Sequence, residues 1–155
     1  MKATPRSARR NRQDKESGAT AIEFVLWTPL LFLFMFGSVQ FGLAMFARHV
    51  AQTAAQEGAR TAREQAAANP KTWQVPAEKD AKTWVNQLIG GLVSDGSLQA
   101  TPIPVTRGAY PEVGMEVSFS IVSVVPDWQF HLDAASQGPV ECYYTQAGAC
   151  VGPNG

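Results

Sequence analysis

The sequence predicts an α+β protein. A long N-terminal membrane helix continues on its far side, and a small domain follows in which one helix packs on a short antiparallel sheet. Three observations carry this expectation. Residues 24–47 contain no charged side chain. An alanine-rich segment without proline follows from Arg48 to Ala68. The second half of the chain then changes from helical spacing of apolar residues to strict alternation.

The apolar run reads FVLWTPLLFLFMFGSVQFGLAMFA. As a helix it is about 36 Å long, enough to cross a hydrocarbon core of about 30 Å with tilt. Thr28, Ser38 and Gln40 are its polar side chains, and the hydroxyls can bond back to helix carbonyls. The run is longer than a typical buried helix and longer than the apolar core of a secretory signal. No small-x-small site closes it, so the segment is expected to stay attached as an anchor. Glu23 stands at its head, where a carboxylate is costly unless it meets a cation. Pro29, inside the run, removes the hydrogen bond to the Val25 carbonyl and is expected to kink or loosen the helix.

Formal charge sums to zero, which hides an asymmetry. Residues 1–17 carry Lys2, Arg6, Arg9, Arg10, Arg12 and Lys15 against Asp14 and Glu16, a net +4, and the remainder carries a net −4. Basic flanks stay in the cytoplasm, so the N-terminus is expected inside and the rest of the chain outside. The cluster abuts a span and lacks interleaved aromatics, which speaks against a nucleic-acid partner. Asp14 and Glu16 speak against an acid-poor transit peptide.

From Arg48 to Ala68 the helix is expected to continue into water, with Arg60 and Glu64 paired one turn apart. Ala47, Ala51, Ala55, Gly58, Ala59, Ala62 and Ala66 form a stripe of small residues along it. Such a stripe fits either close helix packing or plain helix propensity. Asn69-Pro70 stops the helix. A second helix starts near Pro76, with Ala81, Trp84, Val85, Leu88, Ile89 and Leu92 as one apolar face. Gly90-Gly91 weakens its end, and residues 94–97 spell a turn.

Strands follow. Pro102 and Pro104 mark an edge strand or extended segment. Val113, Met115, Val117, Phe119 and Ile121 alternate with small or polar residues, as in a half-buried strand ended by Pro126. Val140–Thr145 is expected to return as a last strand. The organisation is therefore a basic leader at 1–18, the membrane helix and its extension at 19–68, and a small extracytoplasmic domain at 69–155, large enough for a modest core.

The two cysteines, Cys142 and Cys150, both fall in the exported part. A disulfide between them is expected, contributing about 2.5 kcal/mol on the chain-entropy model and consistent with an oxidising compartment. Their spacing with His131 matches no zinc pattern. His49 lies at the membrane exit, and His131 falls in an apparent loop beside Asp133. Neither joins a nucleophile motif, and there is no phosphate-binding glycine loop. No catalytic centre, cofactor or metal is expected, and the chain is read as not an enzyme.

Gly18-Ala19-Thr20-Ala21-Ile22-Glu23-Phe24 resembles a type IV prepilin cleavage site: a basic leader, a glycine, the cut, then a glutamate at the fifth mature position of an apolar helix. Residues 17–65 as a whole resemble the TadE-like family of pseudopilins of tight-adherence (Flp) pilus systems. The resemblance is carried by Ala21-Ile22-Glu23-Phe24, Thr28-Pro29-Leu30-Leu31, Gln40-Phe41-Gly42 and Gln56-Glu57-Gly58-Ala59-Arg60. Family members often carry an acidic residue where Gln40 stands.

The resemblance implies cutting between Gly18 and Ala19 by a prepilin peptidase, with Glu23 as the assembly carboxylate. It also implies a single-pass protein of the bacterial inner membrane, N-terminus cytoplasmic and C-terminal domain periplasmic or extracellular. Its partners would be other pilins or pseudopilins and the pilus assembly platform, and it would assist pilus assembly or secretion. The alternative expectation is an uncleaved, membrane-anchored extracytoplasmic binding or adhesion protein.

Overall fold

The computed structural model describes residues 10–106, 111–123, 129–141, 143–144 and 150–151. In chain order the elements are α1 (Arg10–Ala66), α2 (Gln74–Ile89), a 3-10 turn (Gly90–Leu92), β1 (Gln99–Ile103), β2 (Glu112–Ile121), β3 (Phe130–Pro139), β4 (Tyr143–Tyr144) and β5 (Cys150–Val151). The chain divides into two compact units, Met1–Phe41 and Gly42–Gly155.

In the first unit α1 starts upstream of the apolar run and is not interrupted at Pro29. The Thr28 hydroxyl donates to the Phe24 carbonyl at 2.6 Å, and Ser38 donates to Met35 at 2.9 Å, so these polar groups are satisfied within the helix.

The second unit is built on the remainder of α1. The stripe of small residues is buried: Ala47, Ala51, Ala54, Ala55, Ala59 and Ala62 are fully enclosed. They meet the large core residues of the other elements, Trp73, Val85, Met115, Val117, Phe119 and Ile121. Small side chains on one helix thus let bulky ones from the sheet fill the space, which is how cores reach close packing. Along α1 the tightest approach at a glycine is at Gly58. A Cβ there would lie 2.9 Å from both Ala81 Cβ and Met115 Cγ, and 3.2 Å from the Ala77 carbonyl oxygen. One turn on, Thr61 donates to Asp80 at 2.7 Å. The expected Arg60–Glu64 pair is present at 3.7 Å, and Arg60 also meets Glu57 at 3.2 Å.

Helix α1 closes where the sequence says it should. The Asn69 amide still donates to Gln65 at 2.7 Å, and Pro70 cannot extend the ladder. Pro76 is the third residue of α2, where a missing N–H removes nothing from the helix. Only part of the expected apolar face of α2 is buried. Ala77, Ala81, Val85 and Ile89 point inward, while Trp84 and Leu88 remain exposed. The inward stripe is small at Ala77 and Ala81, where Gly58 of α1 comes closest, and larger at Val85 and Ile89.

The sheet has the order β1-β2-β3, antiparallel throughout. β1 is an edge, which is why Pro102 is tolerated. β2 is central, and its alternation is as expected, with Val113, Met115, Val117, Phe119 and Ile121 all inward. It ends at Ile121, and Pro126 lies outside the described residues. The turn at 94–97 is present, closed by Ser97 donating to Ser94 through both amide and hydroxyl.

β3 was not expected. His131 and Asp133 are on this strand and not in a loop, paired opposite Ser120 and Ser118. Gly114 permits the pairing, since a Cβ there would run into the Ser136 carbonyl. In place of one strand at 140–145, Tyr143–Tyr144 pairs with Cys150–Val151.

The far end of β3 is held to α1. Glu141 donates its amide to the Arg63 carbonyl at 3.2 Å, its carboxylate faces Arg63 Nε at 3.7 Å, and Gly138 lies against the same arginine.

Gly58→Leu is expected to lower stability by about 1–3 kcal/mol or more, because neither Ala81 nor the Ala77 backbone can retreat. Gly91→Ala, which meets nothing within 4 Å, is expected to change it little. Thermal unfolding of the detergent-solubilised chain, followed by near-UV circular dichroism, reads the difference.

Candidate functional site

The candidate site is the first half of α1. From Ala21 to Val39 every residue is exposed except the half-buried Thr28. Phe24, Val25, Leu26, Trp27, Leu31, Leu33 and Phe34 are each exposed, although their positions circle the whole helix. A helix apolar on all faces and uncovered by its own chain needs an apolar solvent. Ala21–Ala66 is the one described helix long and apolar enough to cross a membrane, with a mean hydropathy of 2.0 in its most apolar window.

Glu23 is the single charged side chain in this stretch, and it is exposed on α1. It stands four residues after Ala19, one helical turn away. The Gly18–Ala19 peptide lies inside α1, which begins at Arg10. Gln40, singled out by the resemblance, is buried at 3% exposure between two exposed neighbours, Val39 and Phe41.

The small-residue stripe does not belong to this site. It packs on α2 and the sheet of its own chain, so close packing, one of the two readings the sequence allowed, is the one realised. The stripe is therefore enclosed within its own chain, whereas residues 21–39 and the opposite face of the rest of α1 stay exposed.

The histidines do not converge on a catalytic arrangement among the described residues. Ser120 Oγ and His131 Nδ1 are 3.3 Å apart across β2 and β3, on the outer face of the sheet. Asp133 is two residues further along the same face, opposite Ser118. No group of His, Cys, Asp or Glu among the described residues is placed to hold a metal ion. The expected Cys142–Cys150 disulfide falls outside the described residues, since Cys142 is not described and only the backbone of Cys150 is.

Among the described residues, one candidate span ahead of a helix-on-sheet domain makes an α+β protein whose architecture is consistent with a single-pass membrane protein. Residues 18–60 match the family model of the TadE-like proteins, so this part of α1 is TadE-like. The matched segment begins at Gly18, contains Glu23, Pro29 and Gln40, and ends just past Gly58. It supports involvement in a tight-adherence pilus system. No curated protein and no solved structure matches the chain.

Sequence reasoning placed Glu23 and the span, but gave no priority to Gly58 or Arg63. The stripe around Gly58 was visible, and its function as an internal contact needed the sheet to be placed. Arg63 carried no signal beyond its charge.

The chain is expected to stay with membranes through alkaline carbonate extraction. Replacing both Leu33 and Phe34 by arginine, at about 2.5–3.5 kcal/mol each near the helix centre, is expected to release a measurable share into the supernatant.

Proposed function

We propose that the chain is a pseudopilin-like assembly component of a tight-adherence (Flp-type) pilus or related secretion system, cut by a prepilin peptidase between Gly18 and Ala19. The observation that carries the reading is Glu23, one turn beyond that peptide, at the head of a charge-free helix inside the TadE-like segment. The protein is a structural part of the machinery and not an enzyme. Its organisation is a leader at 1–18, a membrane helix with its extension at 19–68, and an exported domain at 69–155. The leader is cytoplasmic in the inner membrane, because its net +4 holds it there.

The chemistry follows from charge. Cutting removes the basic segment and leaves an α-amine on Ala19. Such an amine has a reference pKa of about 7.7–8.0 and is largely cationic at neutral pH. Glu23 sits within a turn of it, and a helix N-terminus favours negative charge there. In an assembly the amine of a neighbouring subunit can meet the same carboxylate, so that neither charge enters the bilayer unpaired. Gly18 suits the cut twice over. It offers no side chain to the protease cleft, and it costs less to unwind from α1 than another residue, by about 1 kcal/mol relative to alanine.

The second reading, an uncleaved anchored binding or adhesion protein, draws on the continuity of α1 across the Gly18–Ala19 peptide. Sequencing the N-terminus of protein extracted from cells that make the pilus separates the two. Ala19 as the first residue supports processing, and an intact leader overturns it. Glu23→Leu tests the carboxylate: processing and membrane retention are expected to persist while most pilus output is lost, and undiminished output would remove Glu23 from assembly.

A further inference from the structure

We propose that one end of the small domain, made by Leu88, Leu92 and Val122, rests in the lipid headgroup and upper acyl layer of the leaflet from which α1 emerges. The proposal rests on the membrane reading of α1.

The placement comes from three contacts. Gly58 of α1 faces Ala77 and Ala81 of α2, Thr61 faces Asp80, and the short turn after Ala66 makes the two helices antiparallel. From the Ala81 contact, α2 and its 3-10 turn descend about 16 Å to Leu92 at the helical rise, the same distance as from Gly58 back to Ala47. β2 gives an independent measure. Gly138, opposite Val113, lies against Arg63, and Met115 lies against Gly58, so β2 also runs toward the lower numbers of α1. From Met115, about 20 Å of strand reaches Ile121, and about 20 Å of helix reaches Met45 from Gly58. The two ends meet: Val93 bridges to Ile121, and the Val122 amide donates to the Leu92 carbonyl at 2.9 Å.

Leu88 and Val122 are exposed there, at 47% and 56%. Leu92 is half-buried against the core. At the level of Leu92 and Val122, Met45 and Phe46 of α1 are exposed, the last large residues of the apolar run, and Leu88 lies one turn, about 6 Å, further out. Met45, Phe46, Leu92 and Val122 thus put apolar side chains at one end of the second unit, and lipid is the occupant that suits an apolar run of which Met45 and Phe46 are the end. Arg48, exposed just beyond Ala47, supplies a cation at the level of the phosphates. The turn carrying Asp95 is held at Ser120, set back from Val122 along β2. Val75, equally apolar and exposed, is at the other end of α2, away from this level.

The test places the photocrosslinker p-benzoylphenylalanine, one site at a time, at Leu88, Val122, Val75 and Phe34 of the full chain. The protein is reconstituted in vesicles of phosphatidylethanolamine and phosphatidylglycerol, and adducts are read by intact mass. Lipid adducts at Leu88 and Val122 are expected several-fold above Val75, with Phe34 as the mid-span reference. Lipid adducts at Phe34 alone would overturn the docking and leave the span standing. Absence at Phe34 would overturn the span itself. Equal yield at Val75 would overturn the end-specific contact, and dimers of the chain formed from Leu88 or Val122 would assign the surface to a second copy.

Discussion

The C-terminal domain depends on how close α1 can come to α2 and β2 at Gly58. A hydrogen at that position, where any larger group would strike Ala81, Met115 and the Ala77 backbone, sets the separation of three elements at once. Around it the alanines of α1 keep that separation over five turns, from Ala47 to Ala66. The bulky residues of the core then come from elsewhere, chiefly Trp73, Met115 and Phe119. Volume is divided between elements, small on the helix and large on the sheet, and neither side can change size alone without a void or a clash.

This division explains what the sequence showed and what it concealed. The span was legible because twenty-four residues without charge admit few structures. β2 was legible because five large apolar residues alternate without a break. The stripe was visible but ambiguous, since alanine every third or fourth position is what both a close contact and a good helix look like. The face of α2 was misjudged for the same reason. Trp84 and Leu88 look like core residues by size, yet the space under α2 admits only Ala77 and Ala81 at its narrowest point. β3 escaped notice because Ala134, Ala135, Ser136 and Gly138 have little strand preference of their own. Its alternation of Phe130, Leu132 and Ala134 against His131 and Asp133 was present, but pairing along the whole of β2 is what fixes it.

For the candidate site, Glu23 was conspicuous from charge alone, because an acid at the head of an apolar helix has few ordinary explanations. The fate of the small-residue stripe was not. Read alone, it fitted either close helix packing or plain helix propensity. With the domain in place it is consumed internally, by α2 and the sheet of the same chain.

One helix therefore presents two chemically different surfaces in sequence. Over residues 21–39 it is apolar on every side, with Phe, Leu, Trp and Met outward and the only charge at Glu23. Over residues 47–66 one side is alanine and glycine, packed by its own domain, and the other is charged, with Arg60 between Glu57 and Glu64. Side-chain size separates the roles: large residues are useful where lipid or another subunit must be met, and small ones where the sheet must come close. A change at Gly58 should thus act on the folding of the domain and leave the span intact, while a change at Glu23 should leave the domain folded. That separability follows because the two stretches share a helix but draw on different side chains, large and outward at 21–39, small and enclosed at 47–66.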